Sequence, residues 1–152
     1  MTDFLATARS LVEAERKRQI AVEGWTLAHD DEHSDGEMLR AAMIYMHWGT
    51  GHGMTLREDG APLGWPWDVK WWKPKTRARN LERAGALLLA ERERLTRVVV
   101  HRIAPRPRSR LEHLKTPSMT PDEVRRGLPT THVSLKLDLC ISALAAVLET
   151  GA

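Results

Sequence analysis

The chain has 152 residues, 42% of them hydrophobic and 28% charged, with one cysteine and a formal net charge of +3. A chain of that length buries a core of its own, which excludes the small scaffolds that depend on disulfides or a structural metal. Residues 1–97 hold 15 Lys/Arg against 15 Asp/Glu, so the basic excess, 8 against 5, belongs to residues 98–152. No uninterrupted apolar run reaches the roughly 20 residues of a bilayer span, and Met1–Ser10 carries Asp3 and no apolar signal core. The expectation is a soluble protein of the cytoplasm, without a membrane partner.

Thr2 reads as an N-cap, and Phe4, Ala8, Leu11, Val12, Ile20 and Val22 follow at mostly helical spacing until Gly24, which predicts a helix over about Asp3–Glu23. Ser34 and Glu37 fit a capping box ahead of Met38, Ala41, Ala42, Tyr45 and Met46, which predicts a second helix over about Asp35–His47. Residues 48–75 are rich in Gly, Pro and Trp. The stretch is too long for an ordinary connection, and its aromatics argue for an ordered insertion. Thr76 is placed to cap a third helix, Arg77 to about Arg97, with the stripe Leu81, Ala84, Leu88 and Leu95. Val98–Ile103 reads either as its continuation or as a short strand, and Pro105 and Pro107 then break regular structure. Thr120-Pro121-Asp122-Glu123 has the form of a helix start, closed by Gly127 and Pro129. Over Val133–Glu149, Leu137, Ile141, Leu144, Ala145 and Leu148 keep helical spacing, while Val133, Leu135, Leu137 and Leu139 also alternate; length and the alanines favour helix. Cys140 within it reads as a small buried hydrophobe. The fold class predicted is mainly α: a bundle of three main helices over residues 1–97 with the Trp-rich insertion 48–75, then a basic linker and helical C-terminal extension over 98–152. That extension either completes the bundle or mediates formation of a homo-oligomer.

Three features carry chemistry. His29 to Glu37 packs two imidazoles and five carboxylates into nine residues. Asp30, Asp31 and His33 are ligand types suited to Mg²⁺, Mn²⁺ or Zn²⁺, although no strong zinc spacing and no H-E-x-x-H is present; the same stretch also reads as an acidic loop capping the next helix. Glu15 and Gln19 interrupt the apolar stripe of the first helix, and an inward carboxylate must be paired, protonated or metal-bound, with Arg83 or another inward cation as its partner. Glu91 sits similarly at the inner edge of the third helix, whereas Glu82 flanks Arg79 and Arg83 at the outside. Finally, four of the six tryptophans, Trp65, Trp67, Trp71 and Trp72, fall within eight residues. Their flat faces suit stacking, with Lys70, Lys73, Lys75, Arg77 and Arg79 placed for phosphates, or they form a small core that fastens the loop. Arg102, Arg106, Arg108, Arg110 and Lys115 are opposed only by Glu112, a segment that serves either as a solvated linker or as a nucleic-acid contact over 102–115.

Glu15-Arg16-Lys17-Arg18-Gln19-Ile20, Glu23-Gly24-Trp25-Thr26 and His29-Asp30-Asp31 with His33, Gly36 and Glu37 form an ordered set of motifs. Trp65-Pro66-Trp67, Trp71-Trp72-Lys73-Pro74, Arg79-Asn80-Leu81 and the run from Ala84-Gly85-Ala86-Leu87 through Glu91 to Arg94-Leu95 continue it. Over residues 9–97 this resembles a family of small proteins encoded widely in bacteriophages and prophages, which implies the cytoplasm of a bacterial host. The chain departs from that pattern at Asn80, where an acid is usual, and at Arg92, where Ile is usual; residues after Arg97 lie outside it. Acidic helices around an inward carboxylate are also similar to the MazG-type all-α nucleotide pyrophosphohydrolases, without their paired E-x-x-E and E-x-x-D helices. Gly24-Trp25-Thr26 with Asp30-Asp31 is similar to part of the ryanodine-receptor repeat, a helical binding module.

Three functions compete. A binding protein for a nucleotide or signalling molecule would use Trp25, His29, Trp67, Trp71, Lys73 and Arg79. A Mg²⁺- or Mn²⁺-dependent nucleoside triphosphate pyrophosphohydrolase would hold its ion through Asp30, Asp31 and His33, with Glu15, Asp31 and Glu37 as catalytic carboxylates. A phage-encoded inhibitor would grip a host protein through the C-terminal extension. The first two share one requirement, that the histidine-rich acidic stretch and the tryptophan loop fold against each other.

Overall fold

A computed structural model describes residues 3–103 and 130–151. It is mainly α, with no strand among the described residues. Helix α1 spans Phe4–Glu23. Asp3, not Thr2, caps it, its Oδ1 accepting the Ala6 N–H at 3.0 Å. At the other end Gly24 turns left-handed at φ 74° and the Trp25 N–H reaches back to the Gln19 carbonyl at 3.2 Å, the Schellman closure that only a residue without Cβ adopts cheaply. A short helix, α2, Leu27–Glu32, follows under a Thr26 cap.

Helix α3 spans Glu37–His47. The expected Ser34–Glu37 capping box does not form: Gly36 at φ 76° is the N-cap residue and makes no side-chain cap, while Glu37 Oε2 accepts the Asp35 N–H at 2.9 Å. The reason is α2, which ends at Glu32 and leaves only a tight turn before α3 begins. Helix α4 runs over Arg77–Ile103, so Val98–Ile103 continues the helix instead of making a strand. Helix α5 spans Thr130–Thr150. The predicted helix start at Thr120–Glu123 and the basic cluster from Arg106 to Lys115 lie outside the described residues.

Helix α4 is the axis of the bundle, packed by α1, α3 and α5, with α5 also lying along α1. Leu81, Ala84 and Leu88 of α4 meet Ala8 and Val12 of α1, Met38 and Ala41 of α3, and Val133, Leu137 and Leu144 of α5 in one core. The C-terminal helix therefore supplies core side chains to the bundle. By length and composition Thr131–Thr150 is also apolar enough to cross a membrane, at mean hydropathy 1.5, although Lys136 and Asp138 interrupt its apolar residues. One face is committed to the core while Leu135 and Leu139 are exposed. Cys140 is buried, donates to the Leu81 carbonyl at 3.2 Å, and has its thiol pushed up to about 12 by burial, which makes it an inert packing residue.

The α1–α4 crossing is set by Gly85. A Cβ there would stand 2.5 Å from Val12 Cγ2, closer than real carbons approach, so the helices touch only because position 85 is bare. Ala is otherwise the better helix residue by about 0.5–1 kcal/mol. Gly85→Ala should nevertheless destabilise the fold by about 1–3 kcal/mol, and Val12→Ala in the same chain should recover part of that loss, as read by a double-mutant cycle in urea.

Candidate functional site

A helix of six residues is not stable alone. Helix α2 is held by arginines from the two helices beside it. The Arg16 guanidinium of α1 is buried, pairs with Asp30, and reaches Glu93 of α4 at 3.2 Å and the Trp25 carbonyl at 3.5 Å. Arg97 of α4 grips Asp31 at 2.7 Å and the Leu27 carbonyl at 3.4 Å. Burial pushes the Asp30 carboxyl above its ordinary range, against the opposing pull of Arg16. These contacts bring the side of α2 that carries His29 and Asp30 against α1.

The insertion is folded around its own hydrogen bonds. The Arg57 N–H donates to the Ala61 carbonyl at 2.8 Å and the Leu63 N–H to the Thr55 carbonyl at 2.8 Å, closing a small turn, and Trp65 then enters the core. Asp68 caps a 3₁₀ turn over Val69–Trp71, accepting the Lys70 N–H at 2.8 Å. Asn80 and two arginines fasten the loop to the bundle. Asn80 is fully buried; its Oδ1 accepts the Lys75 N–H at 2.8 Å and its Nδ2 donates to the Lys75 carbonyl at 3.0 Å. Arg77 donates to the Met46 carbonyl at 2.6 Å, and Arg83 donates to the Lys73 carbonyl.

These anchors leave the rings in one continuous series. Trp25 and His29 stack with centroids 6.5 Å apart; His29 meets His33 at 4.9 Å, and His33 meets Trp67 edge-on at 5.4 Å. The series continues through Trp65 to Trp72 at 5.0 Å, with Tyr45 against both, and ends at Trp48. Such edge-to-face pairs contribute about 0.5–1.5 kcal/mol each beyond area burial. The imidazoles of the acidic stretch and the indoles of the insertion thus form a common wall.

Between this wall and α1 and α4 lies a cavity of about 400 Å³. Gln19, Asp30, Met38, Tyr45 and Leu87 are its buried surfaces, while Trp71, Lys73 and Asp68 stand exposed at its edge. Two of its four cations are neutralised by carboxylates: Arg16 by Asp30, and Arg18 by Glu15 at 2.8 Å and Glu23 at 2.6 Å. The other two have no carboxylate partner among the described residues. Lys73 lies over the Trp71 ring at 5.5 Å and Arg83 over the Tyr45 ring at 5.9 Å. Burial raises the Tyr45 phenol, and a hydrogen bond with the Lys73 backbone and the nearby Arg83 guanidinium partly oppose the rise. Three side-chain atoms of these lining residues are buried with no partner among the described residues: Gln19 Oε1, His29 Nδ1 and Trp67 Nε1.

Of the residues singled out in the sequence, Glu15, Trp25, His29, Asp30, His33, Trp67, Trp71 and Lys73 line this cavity. Asp31, Glu37 and Arg79 do not: Asp31 pairs outside with Arg97, Glu37 is taken by the turn before α3, and Arg79 bridges Glu15 and Glu82. Glu15 is indeed inward and paired, but with Arg18 and Arg79 instead of Arg83. Burial alone would raise its carboxyl; the hydrogen bonds and charges of Arg18 and Arg79 outweigh that and hold it below its ordinary value. Glu91 forms a buried pair with Arg94 at 2.8 Å. Among the described residues no group of three or more His, Cys, Asp or Glu is arranged to hold a metal ion, so Asp30, Asp31 and His33 do not converge as a ligand set. Tyr45 and Arg83 are site residues that sequence reasoning did not place there. Compared with family models, curated proteins and solved structures, the chain matches none.

Asn80 is fitted to its place, because only an amide answers both the N–H and the C=O of Lys75. Asn80→Asp would leave the Lys75 carbonyl unpaired beside a buried carboxylate. It should cost about 2 kcal/mol or more in urea unfolding, with Trp fluorescence reporting the loosened loop.

Proposed function

We propose that the cavity binds a nucleotide-like small molecule, its ring against the indole and imidazole wall and its anionic group at Lys73 and Arg83. One observation carries this reading: the three buried polar atoms without a partner among the described residues, Gln19 Oε1, His29 Nδ1 and Trp67 Nε1, all belong to residues lining the same aromatic recess. Leaving such a group unpaired costs about 1–3 kcal/mol, so three together are a persistent expense unless something from outside answers them. The recess has the volume and the apolar wall with few polar groups that small-ligand sites have. The two cations without carboxylate partners favour an anion at the edge.

Binding is better supported than turnover. The carboxylates that a metal-dependent hydrolase would need are engaged by arginines: Glu15 by Arg18 and Arg79, Asp30 by Arg16, and Asp31 by Arg97 on the outer surface.

A thermal-shift panel of nucleoside mono-, di- and triphosphates and cyclic nucleotides, with and without Mg²⁺, tests the reading. A ligand at a hundredfold its Kd adds about 2.7 kcal/mol, which moves Tm by several degrees in a chain of this size. The expected result is such a rise for at least one nucleotide, with a change in Trp fluorescence and about tenfold weaker binding in Lys73→Ala. No rise with any nucleotide at millimolar concentration would overturn it.

A further inference from the structure

We infer that the recess selects a ring with both an N–H donor and an in-plane acceptor, as a nucleobase has: Gln19 Oε1 accepts from the ligand's N–H and Trp67 Nε1 donates to its acceptor. This rests on the nucleotide-binding reading and adds to it the polarity of recognition and the direction in which the ligand lies.

An amide side chain ordinarily offers either end. Gln19 does not have that freedom, because its Nε2 donates to Glu15 Oε1 at 3.3 Å and an ionised carboxylate only accepts. Glu15 is kept in that state by Arg18, at 2.8 and 2.9 Å, and by Arg79 at 2.5 Å. Turning the amide over would set its oxygen against a carboxylate oxygen. Glu15 is therefore a positioning residue, and through it the buried Oε1 of Gln19, a residue 2% exposed, is left as a fixed acceptor without a partner among the described residues. Trp67 Nε1 is a donor and nothing else. His29 Nδ1 takes either role with its tautomer, so it adapts to what the other two fix.

A carboxylate or phosphate carries only acceptors at neutral pH, and at the buried end it would face the Gln19 oxygen. A hydrocarbon ring would leave both groups unanswered. The ring of the ligand therefore lies inward, and its anionic end lies at the exposed Lys73.

The test is titration of the full chain, followed by Trp fluorescence and calorimetry, with the four ribonucleoside 5′-monophosphates and with each one methylated at the ring or exocyclic N–H. Gln19→Met keeps length and removes the acceptor, Trp67→Phe keeps an aromatic ring and removes the donor, and Glu15→Gln frees the amide to turn. The expected result is at least one nucleotide that binds, tenfold or greater loss on its N-methylation, and tenfold or greater loss in Gln19→Met and in Trp67→Phe. In Glu15→Gln the preference for the parent over the methylated nucleotide should shrink more than the affinity itself. Should that variant not fold, Gln19→Met and Trp67→Phe decide the matter alone. A nucleotide that binds with all variants and analogues within twofold would overturn the donor–acceptor assignment and leave the nucleotide reading standing. No binding by any nucleotide, of this set or of the wider thermal-shift panel, would overturn both.

Discussion

The buried guanidinium of Arg16 joins three pieces of chain that have no other common anchor: Asp30 on α2, the Trp25 carbonyl in the turn before it, and Glu93 on α4. Without it α2, a six-residue helix with no apolar stripe, would keep only the outer grip of Arg97 on Asp31 and the Leu27 carbonyl, and the side that carries His29 would lose its buried anchor. The pair is costly to desolvate, and its value is specific geometry more than net stability. Remove either partner and the other is left as an unpaired buried charge. The recess depends on this constraint, because its imidazole wall stands on α2 and its indole wall on the insertion.

The insertion meets α2 from the opposite direction by a different device. Its backbone is fixed by Asn80, Arg77 and Arg83, three polar side chains from the first two turns of α4 that donate to or accept from main-chain groups of the loop and of α3. A long loop with few strands or helices has many backbone groups to satisfy, and side chains of one rigid helix satisfy them at fixed distances. Once both segments are held, the aromatic series from Trp25 to Trp48 closes between them, and the three buried polar atoms without partners among the described residues all belong to residues that line the cavity.

Much of this was legible in the sequence where burial imposes periodicity. The stripes of α1, α3 and α4 predicted their helices, and Glu15 in the α1 stripe was recognisable as an inward carboxylate in need of a partner. Which arginines serve it was only partly legible: Arg18 stands three residues along the same helix, but between Arg79 and Arg83 only the crossing of α1 and α4 selects. Helix α2 was missed because Leu-Ala-His-Asp-Asp-Glu has no apolar spacing; tertiary ion pairs make it helical. For the same reason Asp30 and Asp31 could not be told apart, although one turns inward to Arg16 and its neighbour outward to Arg97. Thr76 caps α4 as expected, its Oγ1 accepting the Arg79 N–H at 3.3 Å, whereas the cap of α1 failed narrowly: Thr2 and Asp3 are both good cap residues, and the choice between them is a matter of one residue in where α1 begins.

The central claim is that the acidic histidine stretch and the tryptophan loop share one ligand-receiving wall. The indole N–H resonances test it most directly, because six tryptophans give six separable probes and only three of them, apart from Trp65, face the cavity. On titration with the tightest-binding nucleotide, the account predicts that the Trp67 indole proton moves downfield as it gains a hydrogen-bond acceptor, with Trp25 and Trp71 shifting by ring contact and Trp48 and Trp72 hardly moving. Shifts centred on Trp48, or an unmoved Trp67 in a saturated complex, would contradict it.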